Sequence, residues 1–110
     1  MTTDEKLPLA DVLALQQLAY LRQRSLGSTR YRATGQLWLQ VTPRELHWSR
    51  PSVFDPHLDS IRRSLATFER LAHRRDPGAE NAWQAVLAAV DLLLAEARQR
   101  AGHRIRPRRA

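Results

Sequence analysis

Apolar residues recur at steps of three and four along three stretches of this chain, the spacing that gathers them on one face of an α-helix. The first stretch predicts a helix from about residue 8 to residue 25, with Pro8 in its first turn and Gly27 beyond its end. Asp11 suits the positive end of the helix dipole, and Arg22 suits the negative end. The apolar positions of this stretch are Leu9, Val12, Leu13, Leu15, Leu18, Ala19 and Leu21.

The second stretch predicts a helix that is capped by Asp55, has Pro56 in its first turn and ends near Arg75. Because its apolar residues occupy one face, the polar residues between them are expected to point toward solvent. The apolar stripe consists of Leu58, Ile61, Leu65, Phe68 and Ala72.

The third stretch predicts a helix that follows Asp76 and Pro77, runs to about Ala101 and is terminated by Gly102. A helix that is apolar over so much of its circumference is expected to contact more partners than a small bundle provides. Its large face consists of Trp83, Val86, Leu87, Val90, Leu93, Leu94 and Ala97. The alanines that allow close packing by neighbouring helices are Ala82, Ala85, Ala88 and Ala89.

Residues 26–41 are compatible with two structures. Residues 28–33 and 36–41 have the length and composition of two short strands, and a hairpin would place Tyr31 opposite Trp38 as a cross-strand aromatic pair. The alternative is a loop followed by a short helix over residues 36–41. Both alternatives stay open.

A further short helix is predicted over residues 43–49. Thr42 caps it, Glu45 completes a capping box and Pro51 ends it after one or two turns. The expected fold is therefore mainly α: a small bundle of three long helices and one short one. It also has a loop or β-hairpin excursion at about residues 26–41 and a basic C-terminal tail.

The chain has 110 residues, which corresponds to one domain, expected to span residues 1–102. It contains no cysteine, which excludes disulfides and thiolate metal ligands and fits a reducing compartment. The N-terminus shows no secretory signal, and Asp91 and Glu96 interrupt the longest apolar stretch, residues 85–97. We therefore expect a cytoplasmic protein without membrane contact.

Charge narrows the classes of partner. The chain has 18 basic and 11 acidic residues, a net charge of +7 and an isoelectric point near 11.4. Seventeen of the basic residues are arginine, whose planar guanidinium binds phosphate oxygens in pairs and stacks on bases. Such a field attracts polyanions, above all nucleic acid.

The second long helix carries the clearest candidate contact surface. Arg63, Arg70 and Arg74 are spaced by seven and four residues and share one face; Arg62 lies at its edge and Arg75 extends it. A row of exposed guanidinium groups is what a surface that follows a phosphate backbone requires. The alternative is a solvated face whose charges are balanced by two nearby carboxylates. These are Asp59 and Glu69.

Two other segments combine the same chemistry. Arg30, Tyr31 and Arg32 interleave an aromatic ring with cations, which can stack a base and hold its flanking phosphates. The alternative is that Tyr31 and Trp38 anchor the excursion to the bundle. The tail at residues 103–110 is expected to be flexible when alone and to bind backbone phosphates or remain solvated. Its arginines are Arg104, Arg106, Arg108 and Arg109.

The residues that could support catalysis are few. The four histidines form no His-x-x-x-His pair, so neither a metal site nor another cofactor is expected. Arg98 and His103 are separated by four residues, and this spacing resembles the Arg-x-x-x-x-His motif of the HEPN ribonucleases, which are small helical bundles. The resemblance implies that this pair orients and protonates groups around a scissile phosphate. Acid–base catalysis needs a positioned group, however, and Gly102 is expected to end the helix before His103.

Together these observations predict a non-catalytic subunit that binds the backbone of RNA or DNA with little sequence preference, inside a larger nucleoprotein assembly. In size, charge and helicity it resembles the small basic helical subunits of CRISPR interference complexes, and small terminase-like packaging subunits are of the same physical type. The expected partners are nucleic acid, other protein subunits and a second copy of the chain. Two alternatives stay open: a HEPN-like ribonuclease, and a protein-interaction module whose arginines meet an acidic partner.

Overall fold

The computed structural model of the protein describes residues 7–24, 48–49, 51–102 and 105–107. This part is mainly α, with three helices and no strand among the described residues. Helix α1 spans Leu9–Arg24, α2 spans Asp55–His73 and α3 spans Ala79–Ala101. The three long helices predicted from the apolar periodicity are confirmed, with small shifts at their ends.

The other fold predictions fall largely outside the described ranges. This applies to residues 26–41, with their two alternatives, and to residues 43–47 of the expected short helix. Trp48 and Ser49, at the end of that expected helix, are not helical. Of the expected tail, residues 105–107 are described, and there Ile105 is buried in the hydrophobic core. Ile105 lies three residues beyond residue 102, the expected end of the domain.

The N-cap residue of α2 is Phe54, and Asp55, the residue expected to cap the helix, is its first residue. In the turn before the helix, the hydroxyl oxygen of Ser52 accepts a hydrogen bond from the backbone N–H of Phe54 at 3.1 Å. The Asp55 carboxylate accepts one from the backbone N–H of Ser52 at 3.2 Å. This reciprocal pair of hydrogen bonds gives partners to two backbone donors in the turn that leads into α2. Pro56 lies in the first turn, where its missing N–H leaves no bond unmade.

The end of α2 is closed by a Schellman motif that turns the chain into α3. The N–H of Arg75 bonds to the carbonyl of Ala72 at 3.1 Å, and the N–H of Asp76 bonds to the carbonyl of Leu71 at 2.9 Å. Arg75 has a φ of 54°, the left-handed conformation that glycine usually supplies at this position. The Asp76 carboxylate accepts a further bond from the N–H of Gly78 at 2.7 Å, just before α3 begins.

Helices α2 and α3 form an antiparallel pair on either side of this turn. Near the turn, the ring centroids of Phe68 and Trp83 lie 5.1 Å apart, and Trp83 is fully buried. At the far end, Nε2 of His57 in α2 lies 2.8 Å from Oε2 of Glu96 in α3. Apolar packing at one end and a polar contact at the other therefore hold the two helices together along their length.

Helix α1 is linked to α3 by a two-pronged contact, with Nε of Arg22 2.8 Å from Oδ1 of Asp91 and Nη2 3.2 Å from Oδ2. Its buried stripe is narrower than its apolar periodicity predicted. Leu9 and Leu13 are 69% and 43% exposed, because they lie opposite the side that faces the core. No described helix has the length and apolar character needed to cross a membrane. The largest fully buried apolar side chains belong to Trp83, Phe54, Leu15, Leu18, Ile61, Leu65, Leu93, Leu94, Val86 and Val90.

Asp11 joins α1 to the segment that precedes α2. Its side chain is buried, and its carboxylate accepts hydrogen bonds from the Ser49 N–H at 2.7 Å, the Ser49 hydroxyl at 2.8 Å and the Ser52 hydroxyl at 3.2 Å. The sequence suggested only a favourable interaction with the helix dipole for this residue. The structure adds a polar cross-link between segments far apart along the chain, and the same Ser52 hydroxyl holds the turn that leads into α2.

Candidate nucleic-acid interface

The side of α2 that faces away from the core is formed by the polar positions between its apolar ones. Leu58, Ile61, Leu65 and Phe68 are buried, so residues on the opposite side of the helix are turned outward. The residues named below are all exposed. The outer face of α2, as we call this surface, consists of Arg62, Arg63, Ala66, Glu69, Arg70, His73 and Arg74.

Most guanidinium groups of the outer face are free of carboxylates. Arg62 is the exception, since its Nη1 lies 3.1 Å from Oδ1 of Asp59 in an exposed contact. Among the described residues, Arg63, Arg70 and Arg74 take part in no ion pair within 4.0 Å. The sequence left open whether Asp59 and Glu69 neutralise the row of arginines. Asp59 pairs with Arg62, and neither carboxylate pairs with Arg63, Arg70 or Arg74.

A shallow depression lies at the C-terminal half of the outer face. Its volume is about 380 Å³, and its described lining residues are Ala66, Glu69, Arg70, His73 and Arg74. The lining includes two guanidinium groups and one carboxylate, so its formal charge is positive with histidine neutral. Arg70 and Arg74 are the residues in this lining that can bind a phosphate group. The same two arginines also suit the negative end of the α2 dipole, so they contribute to the helix as well.

Arg75 extends the positive surface beyond the end of the helix. It is exposed, and among the described residues it takes part in no ion pair. Its left-handed backbone is a conformation that costs an L-residue about 1 kcal/mol or more and costs glycine almost nothing. A long cationic side chain therefore occupies a position at which glycine would make the turn more stable. Sequence reasoning placed Arg75 in the row but gave no signal of this strain.

The other predicted binding residues are placed only in part. Arg30, Tyr31 and Arg32 lie outside the described residues, as does Trp38. Of the tail arginines, Arg106 is described and exposed, directly after the buried Ile105. The remaining tail arginines, Arg104, Arg108 and Arg109, lie outside the described residues.

The pair behind the ribonuclease alternative is described at one of its members. Arg98 is exposed near the end of α3, whereas His103 lies outside the described residues. Gly102, with a φ of 58°, follows the last helical residue, as expected. Within the described ranges, no group of three or more histidine, cysteine, aspartate or glutamate side chains has the arrangement of a metal site.

Comparisons of the chain with models of protein families, with curated proteins and with solved structures find no match. The function of the outer face must therefore be argued from its own charge and geometry.

Proposed function

We propose that this protein binds the phosphate backbone of nucleic acid through the outer face of α2, without catalysing a reaction on it. The observation that carries the proposal is the set of exposed arginines, Arg63, Arg70, Arg74 and Arg75, that no described carboxylate neutralises. Between residues 59 and 75 five arginines accompany two carboxylates, so the surface keeps an excess of positive charge. Arginine side chains of this kind bind phosphate oxygens strongly and release counterions as they do so.

The spacing of the row suits a backbone contact. With a rise of about 1.5 Å per residue, Arg63 and Arg70 lie roughly 10 Å apart along the axis, and Arg70 and Arg74 roughly 6 Å apart. Phosphates follow one another about every 3.4 Å of axis along one strand of duplex DNA, so the arginines can reach every second or third phosphate. Contacts to phosphates carry no base information, and binding with little sequence preference follows.

The proposal includes the finer features expected from the sequence. The segment with Arg30, Tyr31 and Arg32 and the basic tail are further contacts to the same polyanion in this interpretation. Assembly with other subunits is part of the proposal too. The physical type is that of the small helical subunits of CRISPR-like effector complexes.

The direct test is the salt dependence of binding to labelled single-stranded and double-stranded RNA and DNA. We expect all of them to bind at about 50 mM salt, with a linear fall of log K against log salt concentration and a slope of several units. Retention of none of the four at that salt concentration rejects the proposal. Turnover of the labelled RNA instead favours the ribonuclease alternative.

A competitor separates nucleic acid from an acidic protein as the natural ligand. Polyglutamate has the charge of a polyanion but no phosphate, and it cannot stack on arginine as bases do. At equal charge concentration, we expect polyglutamate to displace labelled RNA much less effectively than unlabelled RNA does. Equal displacement by the two polymers contradicts the proposal and supports the acidic-partner alternative.

Because the backbone of Arg75 is strained, replacing this residue should raise the stability of the protein and lower its affinity for nucleic acid. Replacing it by glycine removes the left-handed penalty, and the free energy of unfolding should rise by about 1 kcal/mol. The same change removes a cation from the proposed surface, so nucleic-acid affinity should fall about two- to fivefold at low salt. Urea unfolding and a fluorescence binding titration measure the two quantities on the same protein.

Arg75→Lys is the matched control for Arg75→Gly, because it keeps the positive charge and an L-residue at the left-handed position. It should leave the free energy of unfolding near that of the parent and change nucleic-acid affinity less than the glycine variant does. An Arg75→Gly protein that is more stable and binds as tightly as the parent shows that Arg75 lies outside the contact surface.

A further inference from the structure

The outward side of α3 carries an uncharged seam along almost the whole helix. Its members follow one another at steps of four and three residues, the heptad spacing of helices that pair side by side. All of them are exposed. The α3 seam, as we call it, consists of Asn81, Ala85, Ala88, Leu92, Ala95 and Gln99.

The seam differs from what the composition leads one to expect of a solvated helix face. Of the whole chain, 26% is charged, and the outer face of α2 is rich in charge, yet no member of the α3 seam carries one. Leu92 is 65% exposed near its middle. The alanines on either side of Leu92 permit a second helix to approach closely, because the alanine side chain is only a methyl group.

We propose that the α3 seam binds the α3 seam of a second copy of this chain, in antiparallel orientation. The seam is self-complementary about Val90: Ala88 and Leu92 lie two residues on either side of it, and Ala85 and Ala95 lie five. A two-fold axis that passes by Val90 therefore sets each leucine against the partner subunit's Ala88 and each Ala85 against the partner subunit's Ala95. A large side chain then meets a small one in each central layer, which fills space evenly.

The packing of Leu92 favours this orientation over a parallel one. A parallel pair sets Leu92 against its own copy between layers of alanine, which packs unevenly. Each orientation also brings two carboxylates together: Asp91 and the partner subunit's Glu96 in the parallel pair, and the two copies of Asp91 in the antiparallel pair. Both Asp91 and Glu96 already have a basic partner in their own chain, so these carboxylate contacts do not decide the orientation.

The antiparallel register also creates an attractive contact at each end of the seam. Arg98 and Glu80 lie on the same edge of α3, eight and ten residues from Val90 in opposite directions. The two-fold operation brings Arg98 within about 3 Å, along the helix axis, of the position of the partner subunit's Glu80. Both side chains are exposed, and neither takes part in an ion pair among the described residues. This charge complementarity favours a second copy in this register as the occupant of the seam.

The contact has a consequence for the outer face of α2. Glu96, which contacts His57 of α2, lies on one edge of the α3 seam, and Asp91, which contacts Arg22 of α1, lies on the other. A two-fold axis in the plane of contact places the Glu96 edges of the two α3 helices on the same side of the dimer. Because α2 contacts α3 at Glu96, both α2 helices lie on that side. The two rows of arginines are then available to one polyanion.

The first test is the mass of nuclease-treated protein in sedimentation equilibrium at about 0.15 M salt. We expect a reversible dimer, twice the chain mass of 12.7 kDa. Leu92→Glu places two carboxylates in the central layers and should raise the dimer dissociation constant by at least about tenfold. The matched control is Leu9→Glu, since Leu9 is 69% exposed on α1 and should leave the dimer unchanged.

A protein that stays monomeric at all concentrations overturns the proposal, and so does a dimer that Leu92→Glu leaves intact. These measurements contain no nucleic acid, so their failure is separate from failure of the function proposed for α2.

Cysteine cross-linking tests the orientation, because the chain has no cysteine of its own. Ala85→Cys and Ala95→Cys should each give no disulfide-linked homodimer under mild oxidation, and a mixture of the two should give the linked heterodimer. Self-linking of each single variant shows a parallel pair and overturns the proposed register. A dimeric mixture that does not cross-link overturns it as well.

Charge reversal tests the end contacts. Glu80→Arg and Arg98→Glu should each weaken the dimer about threefold or more, and the double variant should recover most of the loss. A double variant as weak as the single ones contradicts the contact between these two residues.

Discussion

Replacing Asp11 by alanine should lower the free energy of unfolding by about 3 kcal/mol, a large part of the stability of a domain of this size. The carboxylate is 1% exposed and accepts three hydrogen bonds from Ser49 and Ser52. Hydrogen bonds to a charged group contribute about 1.5–3 kcal/mol each, and the serine donors would lose their partner in a partly buried site. The Ser52 hydroxyl also accepts a hydrogen bond from Phe54 in the turn before α2, so loss of Asp11 should loosen that turn. Urea unfolding followed by circular dichroism measures the change.

Asp59→Ala is the control for this variant. Asp59 forms an exposed contact with Arg62 three residues away, and such pairs contribute about 0.5 kcal/mol or less. A double-mutant cycle between Asp11→Ala and Ser49→Ala should give a coupling of about 1 kcal/mol, because the Ser49 hydroxyl donates a hydrogen bond to the carboxylate, whereas the Ser49 N–H is kept in the variant. If Asp11→Ala costs no more than Asp59→Ala, the network around Asp11 is not a principal support of the fold.

Periodicity was sufficient to predict the three helices because each of them buries one stripe against the others. Leu58, Ile61 and Leu65 recur at helical steps, and all three are buried as that spacing requires. The same rule overestimated α1, where Leu9 and Leu13 continue the apolar pattern but face solvent. Apolar spacing shows which residues can share a face, whereas the number of neighbouring helices decides how wide a face is covered.

The role of Asp11 could not be predicted because its partners are 38 and 41 residues away along the chain. An acidic residue in the first turn of a helix already has a local explanation in the helix dipole, so nothing in the pattern demanded another. The start of α2 was misplaced by one residue for a related reason. Asp55 next to Pro56 has the sequence of a cap, whereas in the structure Asp55 is the first helical residue and its carboxylate accepts a hydrogen bond from Ser52 in the preceding turn.

The position of the candidate interface could be predicted from the sequence, but the ion pairs of its arginines could not. Helical spacing alone placed Arg63, Arg70 and Arg74 on one side of α2. Which of the arginines are neutralised depends on side-chain positions, and Arg62 proves to be the one that pairs with a carboxylate. The depression beside Ala66 and the strained backbone of Arg75 depend on three-dimensional arrangement and left no trace in residue spacing.

Replacing Arg63, Arg70 and Arg74 together by glutamine should weaken nucleic-acid binding about 10- to 100-fold at low salt. Each exposed guanidinium–phosphate contact is expected to contribute about 0.5–1 kcal/mol, and three such contacts account for this range. The slope of log K against log salt concentration should flatten by about two to three units, and the loss should be alike for unrelated sequences. The fold should remain intact, because all three positions are exposed and off the buried stripe.

A charge-preserving variant makes this result specific to the guanidinium groups of the outer face of α2. Lysine at the same three positions keeps the charge, so the salt slope should be preserved while affinity falls only by the loss of two-pronged contacts. A triple glutamine variant that folds and binds like the parent, with an unchanged salt slope, places the polyanion on another surface. In that case the free arginines of α2 serve only the solvation and the dipole of the helix.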